Sequence, residues 1–226
     1  MQGTYINTIA VIIGSLFGVL LHKKFPEKIK KIVFQGIGLV TLFIGIQMAF
    51  KVNNLIILFF SILIGAVIGE IIDFERYLDR LGVFLKDKLK SEDDRFIEGL
   101  VTAFLIFCTG SMTILGAIED GLNGDPSILY AKSMLDGFAS ISLASVFGIG
   151  VLFSAIPLFI FQGGITFLAA YSKGFFTDAL ISSLSAVGGI LLIGLGINLL
   201  EIKKIKVVNL LPSLVVVAVL AHLFQW

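Results

Sequence analysis

Residues 109–145 read TGSMTILGAIEDGLNGDPSILYAKSMLDGFASISLAS, and residues 154–166 read SAIPLFIFQGGIT. Acids, a lysine, a glutamine, hydroxyls and glycines are concentrated in these two stretches, whereas most of the remaining chain is apolar. A polar or ionisable side chain inside a membrane is costly, so it marks a functional site by default. The two stretches therefore predict a helical membrane protein with a polar centre.

Composition supports a lipid environment for the whole chain. Of 226 residues 57% are hydrophobic and only 15% are charged, with a mean hydropathy of +1.03. A soluble domain is about a quarter charged, so the lipid bilayer is the expected partner. The net charge of +1 argues against nucleic acid as a partner. One cysteine and two distant histidines form no recognisable metal or cofactor motif, so we expect neither a metal nor a cofactor.

Apolar segments long enough to span a membrane recur along the chain. A hydrocarbon core of about 30 Å needs about 20 helical residues. Eight segments qualify: Gly3–Leu21, Lys31–Phe50, Leu55–Ile72, Phe96–Ile118, Leu129–Phe153, Ile156–Tyr171, Ala179–Leu200 and Val207–Phe224. We therefore predict an all-α polytopic bundle that forms a single integral membrane domain over residues 1–226. The sixth segment is short and carries Pro157 and Gly163-Gly164, so it either spans the membrane, with a possible break, or is re-entrant.

The distribution of basic residues predicts the topology. With eight spans and both termini outside, 14 of the 17 Lys and Arg residues lie inside and 3 outside. A re-entrant sixth segment would reduce this bias to 11 inside and 6 outside. Eight spans with both termini outside are therefore favoured.

The connection between the third and fourth spans has helical periodicity of its own. Within Phe74–Lys90, apolar residues recur at helical spacing and basic residues occupy the other face. This pattern is typical of an amphipathic helix that lies on the inner membrane surface. Such a helix serves either as a connector or as a binding site for a cytoplasmic partner.

Short similarities within the chain suggest an internal repeat, a feature that many transporters share. Parallel matches pair Gly14-x-x-x-Gly18 with Gly65-x-x-x-Gly69, GLVT at 38–41 with GLVT at 99–102, and FQG at 34–36 with FQG at 161–163. A competing match, GIQ at 45–47 with GIN at 196–198, would be inverted. Both orientations stay open, and the glycines also permit close helix packing.

Lys132 and Asp136 are the strongest candidates for a site. Asp125-Pro126 is a typical helix start, which places Asp136 about 15 Å along the fifth helix at 1.5 Å per residue. Lys132 stands four positions before Asp136 and is therefore on the same helix face. Asp136 then pairs with Lys132, takes up a proton or holds a cation. A buried pair that only fixes helix packing is the alternative.

Further candidates flank this pair. Glu119 and Asp120 precede Gly121 at the expected end of the fourth helix, where acids oppose the helix dipole. A cation or basic group nearby would explain them, and a solvated loop is the alternative. Gly110 and Ser111 interrupt the fourth span, and Gln162 and Gly163 are expected to interrupt the sixth. Asn7 is a further buried amide, as are Gln35, Gln47 and Asn198, which alone would be interhelical contacts.

Four motifs together resemble a known family. They are GTYIN at residues 3–7, GSMTILGAIEDGLNGD at 110–125, KSMLDGFAS at 132–140 and FQGG at 161–164. The chain resembles the bacterial family of domain of unknown function 554, the YdfK-like and YqgA-like multi-pass membrane proteins, over essentially its whole length. The resemblance implies a cytoplasmic-membrane protein for which transport is often supposed, without an established substrate. The family's polar motif falls on Asn7, Gly110, Ser111, Glu119, Asp120, Gly121, Asp125, Lys132, Asp136, Gly137, Gln162 and Gly163.

Two functional hypotheses follow. In the first, the chain is a small secondary transporter or ion-conducting protein whose polar cavity handles an unidentified solute or ion, with Asp136 as the proton or cation carrier. In the second, it is a non-transporting scaffold or sensor that binds a cytoplasmic partner through the helix at Phe74–Lys90. No catalytic motif is present, so we do not expect an enzyme. Small-residue helix faces would allow a homo-oligomer and equally a monomer.

Overall fold

The computed structural model describes residues 1–22, 26–77, 80, 95–108, 111–171 and 177–223. Every regular element in these ranges is helical. The helices are α1 Gln2–His22, α2 Glu27–Ala49, α3 Leu55–Ile72, α4 Phe96–Cys108, α5 Ser111–Leu122, α6 Ser127–Phe147, α7 Gly150–Phe153, α8 Ala155–Tyr171, α9 Asp178–Leu199, a 3₁₀ helix Val207–Leu210, and α10 Ser213–Leu223. The all-helical prediction is therefore confirmed.

Fewer than eight of the described helices meet the length and hydropathy of a membrane span. Four do: Gln2–His22, Leu55–Ile72, Gly150–Tyr171 and Asp178–Leu199. Helices α4 and α5 make a fifth if they are taken together, although their axes differ by 60°. Gln35–Ala49 and Val207–Leu223 are shorter apolar segments. The structure thus supports four to five spans, and the count of eight stays a prediction.

The expected break in the sixth span is absent. Helix α8 is continuous from Ala155 to Tyr171 and passes through Gln162, Gly163 and Gly164 without interruption. Glycine still donates and accepts the backbone hydrogen bonds of a helix, and in hydrocarbon those bonds have no water to replace them. The Gly-Gly pair therefore removes side chains from the helix surface without unwinding it.

The chain breaks instead before the sixth span, and the predicted fifth span is too long. Helix α6 ends at Phe147, where Gly148 adopts a φ of 73° that favours glycine. Residues up to Phe153, which we assigned to the fifth span, form α7 and lead into α8. Likewise Gly121 does not end the fourth helix. It lies within α5, and the positive φ of 68° is at Gly124.

Helices α1 and α6 run parallel in the first of two compact units, which comprises residues 1–31 and 81–175. Gly3 lies against Leu129 near the start of both helices, and Gly18 lies against Ile141 further along. A Cβ built at Gly14 would overlap the carbonyl oxygen of Gly137. The small-residue face of the first span is therefore a helix-packing surface, as its sequence predicts.

Helix α8 runs antiparallel to α1 in the same unit. Thr4 contacts Thr166 at one end, and Asn7 contacts Gln162 one turn along. Helix α5 also packs on α8, because a Cβ at Gly121 would overlap the carbonyl oxygen of Thr166. These contacts bring the polar stretches of the sequence to one place.

The second unit comprises residues 32–80 and 176–226 and is built on similar glycine contacts. Gly45 of α2 lies against Gly189 of α9, and the two helices are antiparallel. Gly65 of α3 lies against Ser213, and a Cβ at Gly69 would overlap the carbonyl oxygen of Asn209. The glycines of the suggested repeat thus have a packing role in each unit, while the repeat itself stays a prediction.

The proposed surface helix is described only at its start. Helix α3 ends at Asp73, which has a left-handed φ of 57°, and residues 74–77 are again helical. Residues 78–79 and 81–94 lie outside the described residues, so the rest of Phe74–Lys90 stays a prediction.

Candidate functional site

Lys132 and Asp136 form a buried ion pair on α6. The Lys132 ammonium donates to Oδ1 of Asp136 one helical turn along, and the two side chains are 9% and 4% exposed. The ammonium also lies 5.8 Å from the centre of the Phe107 ring, within the range of a cation–π interaction. The pairing predicted from the spacing is confirmed, and the two opposite charges are buried inside the helix bundle.

Asn7 of α1 joins this pair to a third helix. Its Nδ2 donates to Oδ2 of Asp136 at 3.1 Å and to Oε1 of Gln162 on α8 at 2.9 Å. An ionised carboxylate only accepts hydrogen bonds, so the nitrogen of Asn7 has to face it. Both Nδ2 hydrogens are then used, and Gln162 has to present its oxygen to Asn7.

In this arrangement two amide atoms have no hydrogen-bond partner in the described part of the chain. Oδ1 of Asn7 and Nε2 of Gln162 are fully buried and have no hydrogen-bond partner among the described residues. A buried polar atom without a partner costs about 1–3 kcal/mol. Native proteins satisfy most such atoms, so an unsatisfied donor beside an unsatisfied acceptor calls for an explanation.

Two threonines extend the polar contacts along α1 and α8. Thr166 donates to the backbone oxygen of Gln162 at 3.0 Å, and its hydroxyl lies 3.3 Å from that of Thr4. Because the single proton of Thr166 is used, Thr4 is the donor between the two hydroxyls. Neither threonine was among the sequence candidates, although Thr4 lies three positions before Asn7 and Thr166 four after Gln162.

Asp120 of α5 lies at the start of α1. It is 3% exposed and accepts from the backbone nitrogen of Gly3 at 3.1 Å and from the Met1 ammonium at 2.9 Å. The basic group expected beside the acids is therefore present at Asp120. Glu119 instead accepts a hydrogen bond from Asn123 at 2.6 Å and is not part of this group of residues. We call the six linked residues together with the nearby Asp120 the polar column: Asp120, Thr4, Thr166, Gln162, Asn7, Asp136 and Lys132.

The bend between α4 and α5 lies beside the ion pair. Thr113 of α5 donates its hydroxyl proton to the carbonyl oxygen of Phe107 at 2.6 Å, and the Phe107 ring faces Lys132. A side-chain hydroxyl thus satisfies a carbonyl near the end of α4, as a broken membrane helix requires. Of the candidates at the break, Gly110 lies outside the described residues, and Ser111 is described only as the start of α5.

Other candidates lie away from the polar column or contribute only packing. Gly163 faces α1, where a Cβ would make ordinary contacts of 3.6 Å to Met1 and 3.7 Å to Thr4. Gln35 and Gln47 are exposed on the surface of α2, so the expectation that they are buried is wrong. Asn198 exchanges two hydrogen bonds, at 2.7 and 2.8 Å, with the backbone of Ile205 and so fixes a connection.

The second unit contains a polar cluster that was not among the sequence candidates. Glu70 accepts from the Lys206 ammonium and, at 2.8 Å, from Nδ2 of Asn209. Oδ1 of Asn209 accepts from the backbone nitrogen of Glu75 at 2.8 Å, and Glu75 pairs with Lys204 at 3.4 Å. The hydrogen bond to Glu70 raises the pKa of Lys206 above its ordinary value. These contacts tie the end of α3 to the segment before α10.

Within the described part of the chain, no three His, Cys, Asp or Glu side chains lie together as metal ligands would. The polar column itself offers hydrogen-bond donors and acceptors and one pair of opposite charges.

Comparison with known sequences assigns a family to this arrangement. A family model described as "Protein of unknown function (DUF554)" matches residues 2–222. The chain belongs to this family. The match covers all the helices that carry the polar column, and it confirms the resemblance that the sequence motifs indicated.

Two relatives align along nearly their whole length. The "Uncharacterized membrane protein YdfK" of Bacillus subtilis (strain 168) is 38% identical over 221 residues, which are 96% of this chain and 93% of YdfK. The "Uncharacterized protein YqgA" of Escherichia coli (strain K12) is 37% identical over 217 residues, which are 94% and 92% of the two chains. No solved structure matches the chain significantly. The apolar helices and the family together identify a membrane protein.

Proposed function

We propose that this protein is a small secondary transporter or ion-conducting protein of the bacterial cytoplasmic membrane. The observation that carries the proposal is the polar column, in which hydrogen bonds join buried side chains of α1, α6 and α8, and Asp120 of α5 accepts from the start of α1. Four packed apolar helices need no such series for stability, because small-residue packing already holds α1 against α6.

Asp136 is the carrier in this proposal. Its two oxygens take hydrogen bonds from two directions, one from Lys132 and one from Asn7. Protonation of the carboxylate, or its capture of a cation, would release Lys132 and Asn7 from their present partners. A titrating group that is shared by two helices gives a transporter a way to couple charge to helix movement.

The directions of the helices within each unit support eight spans, and the distribution of basic residues supports both termini outside. In the first unit α1 and α6 run parallel, whereas α8 is antiparallel to both. In the second unit α2 is antiparallel to α9, and α3 to α10. These are the directions that eight successive crossings would give. The polar column would then begin at the outer surface, where Asp120 lies near the start of α1.

Flux in proteoliposomes tests the proposal. Wild type, Asp136→Asn and the control Asp178→Asn are reconstituted side by side, because Asp178 is an exposed acid at the start of α9. Electrical and pH-dye signals are recorded for cations, anions and small neutral metabolites. We expect a signal in wild type and in Asp178→Asn that Asp136→Asn loses. Equal flux in all three proteins would remove Asp136 from the role of carrier.

The alternative, a scaffold or sensor, has one supporting observation. An open pocket near the end of α3 is lined by Asp73, Glu75, Arg76, Lys204 and Lys206, next to the start of the proposed surface helix. Such a mixed-charge pocket suits a peptide or headgroup that carries both signs. Correctly folded protein that gives no flux for any solute would favour this alternative.

A further inference from the structure

The two unsatisfied amide atoms at the centre of the polar column are one acceptor and one donor. They are Oδ1 of Asn7 and Nε2 of Gln162, and they belong to side chains joined by a hydrogen bond of 2.9 Å. Both atoms therefore lie within reach of a single small functional group. The Asp136 carboxylate sets the orientation of Asn7, because it only accepts hydrogen bonds. Exchanging the oxygen and nitrogen of the Asn7 amide would place two acceptor oxygens against each other.

The local charge favours a neutral ligand. Lys132 and Asp136 already neutralise each other beside Asn7, and both are buried. An ion at either amide atom would therefore add a net charge to a buried cluster whose charges already balance. Such an ion would also lose its hydration in an apolar interior. A neutral group that accepts one hydrogen bond and donates another meets neither penalty.

We propose that Asn7 and Gln162 bind a neutral solute through a carboxamide-like group, whose oxygen accepts from Gln162 and whose N–H donates to Asn7. This inference rests on the proposed transport function and names the class of solute. The hydroxyls of Thr4 and Thr166 continue the series from Asn7 and Gln162 toward Asp120, so they offer further polar contacts along the same route.

A buried water is the competing occupant, because one water molecule also accepts and donates. A solute site and a buried water differ in their response to small amides. A solute site distinguishes an amide with an N–H from the same amide without one, whereas a permanently held water responds to neither probe. Acetamide and N,N-dimethylacetamide are therefore the matched probes.

The experiment is ligand-observed saturation-transfer NMR on the full-length protein in lipid nanodiscs. With wild type we expect a signal from acetamide that exceeds the signal from N,N-dimethylacetamide by about fivefold, the effect of one buried hydrogen bond. Gln162→Met should abolish the difference between the probes. Gln47→Met, which changes an exposed glutamine of α2, should retain it.

Equal signals from the two probes in wild type would overturn the inference and leave a buried water only. That comparison uses wild-type protein alone, so it decides the question even if Gln162→Met fails to fold. A folded Gln162→Met variant that still distinguishes the probes would also overturn it.

The outcome separates this inference from the proposed function. Ion flux that depends on Asp136, without discrimination between the amide probes, would keep the transport function and reject the neutral solute. Discrimination between the probes without flux of any solute would keep the binding site and reject transport.

Discussion

The carbonyl oxygen of Gly137 occupies the space that a Cβ of Gly14 would need, so α1 and α6 touch at backbone distance. Gly14→Ala should therefore lower the free energy of unfolding by about 1–3 kcal/mol, because backbone has to shift. Gly164→Ala is the matched control, since a Cβ there meets no atom within 4 Å, and it should be neutral or stabilising by up to about 1 kcal/mol. Thermal unfolding in detergent measures both. Equal stability of the two variants would contradict the close contact.

Removing one partner of the buried ion pair should destabilise the protein more than removing both partners. Lys132→Met leaves the Asp136 carboxylate buried without its cation and should destabilise the protein by about 3–5 kcal/mol. The double variant Lys132→Met/Asp136→Leu should recover a large part of that loss, because it leaves no unpaired charge. Unfolding of wild type, both single variants and the double variant forms a thermodynamic cycle. Additive effects in the cycle would show that the two side chains do not interact.

Asn209 should be a stability determinant of the second unit. It is 2% exposed, and its side chain bonds both Glu70 and the backbone nitrogen of Glu75. Asn209→Ala should cost about 1–3 kcal/mol, because it removes two hydrogen bonds made by a buried side chain. Asn53→Ala changes an exposed asparagine and is the control. A loss at Asn209 no larger than that at Asn53 would mean that these bonds do not stabilise the fold.

The start of α6 should lose stability in acid. Hydrogen bonds from the Ser127 hydroxyl at 2.5 Å and backbone nitrogen at 3.0 Å lower the pKa of the Asp125 carboxyl. A lowered folded-state pKa stabilises the folded protein above the unfolded pKa, and that stabilisation disappears as the pH falls through the folded value. The difference in melting temperature between wild type and Asp125→Ala should thus be largest near neutral pH and shrink below about pH 4. A difference that is constant with pH would contradict this account.

Local features of the site could be predicted from the sequence. Lys132 and Asp136 are four residues apart on one helix, so their pairing needs only helical geometry. The glycine spacing of α1 likewise indicated a packing face. The contact of Asn7 with Asp136 joins residues 129 positions apart, and no local pattern specifies it. Its signal was only the cost of an amide inside an apolar span.

Helix ends were harder to predict, because glycine has more than one role. Gly163-Gly164 suggested a break, yet α8 continues through them, since a membrane helix keeps its backbone hydrogen bonds. Gly148 and Gly124 adopt positive φ values close to helix ends, whereas Gly121 provides close packing inside α5. Composition alone does not distinguish these roles, because each depends on what lies opposite the glycine.

The distance in sequence between α1 and α6, which touch in the folded protein, has a consequence for biosynthesis. Asn7 and Asp136 are 129 residues apart, and at about 5–20 residues per second the ribosome needs about 6–26 s to reach the second after the first. During that interval the helix that completes the packing of α1 has not been made, while α2 and α3 of the other unit are synthesised. Until α6 is made, the amide of Asn7 and the glycine face of α1 therefore lack the partners that cover them in the folded protein.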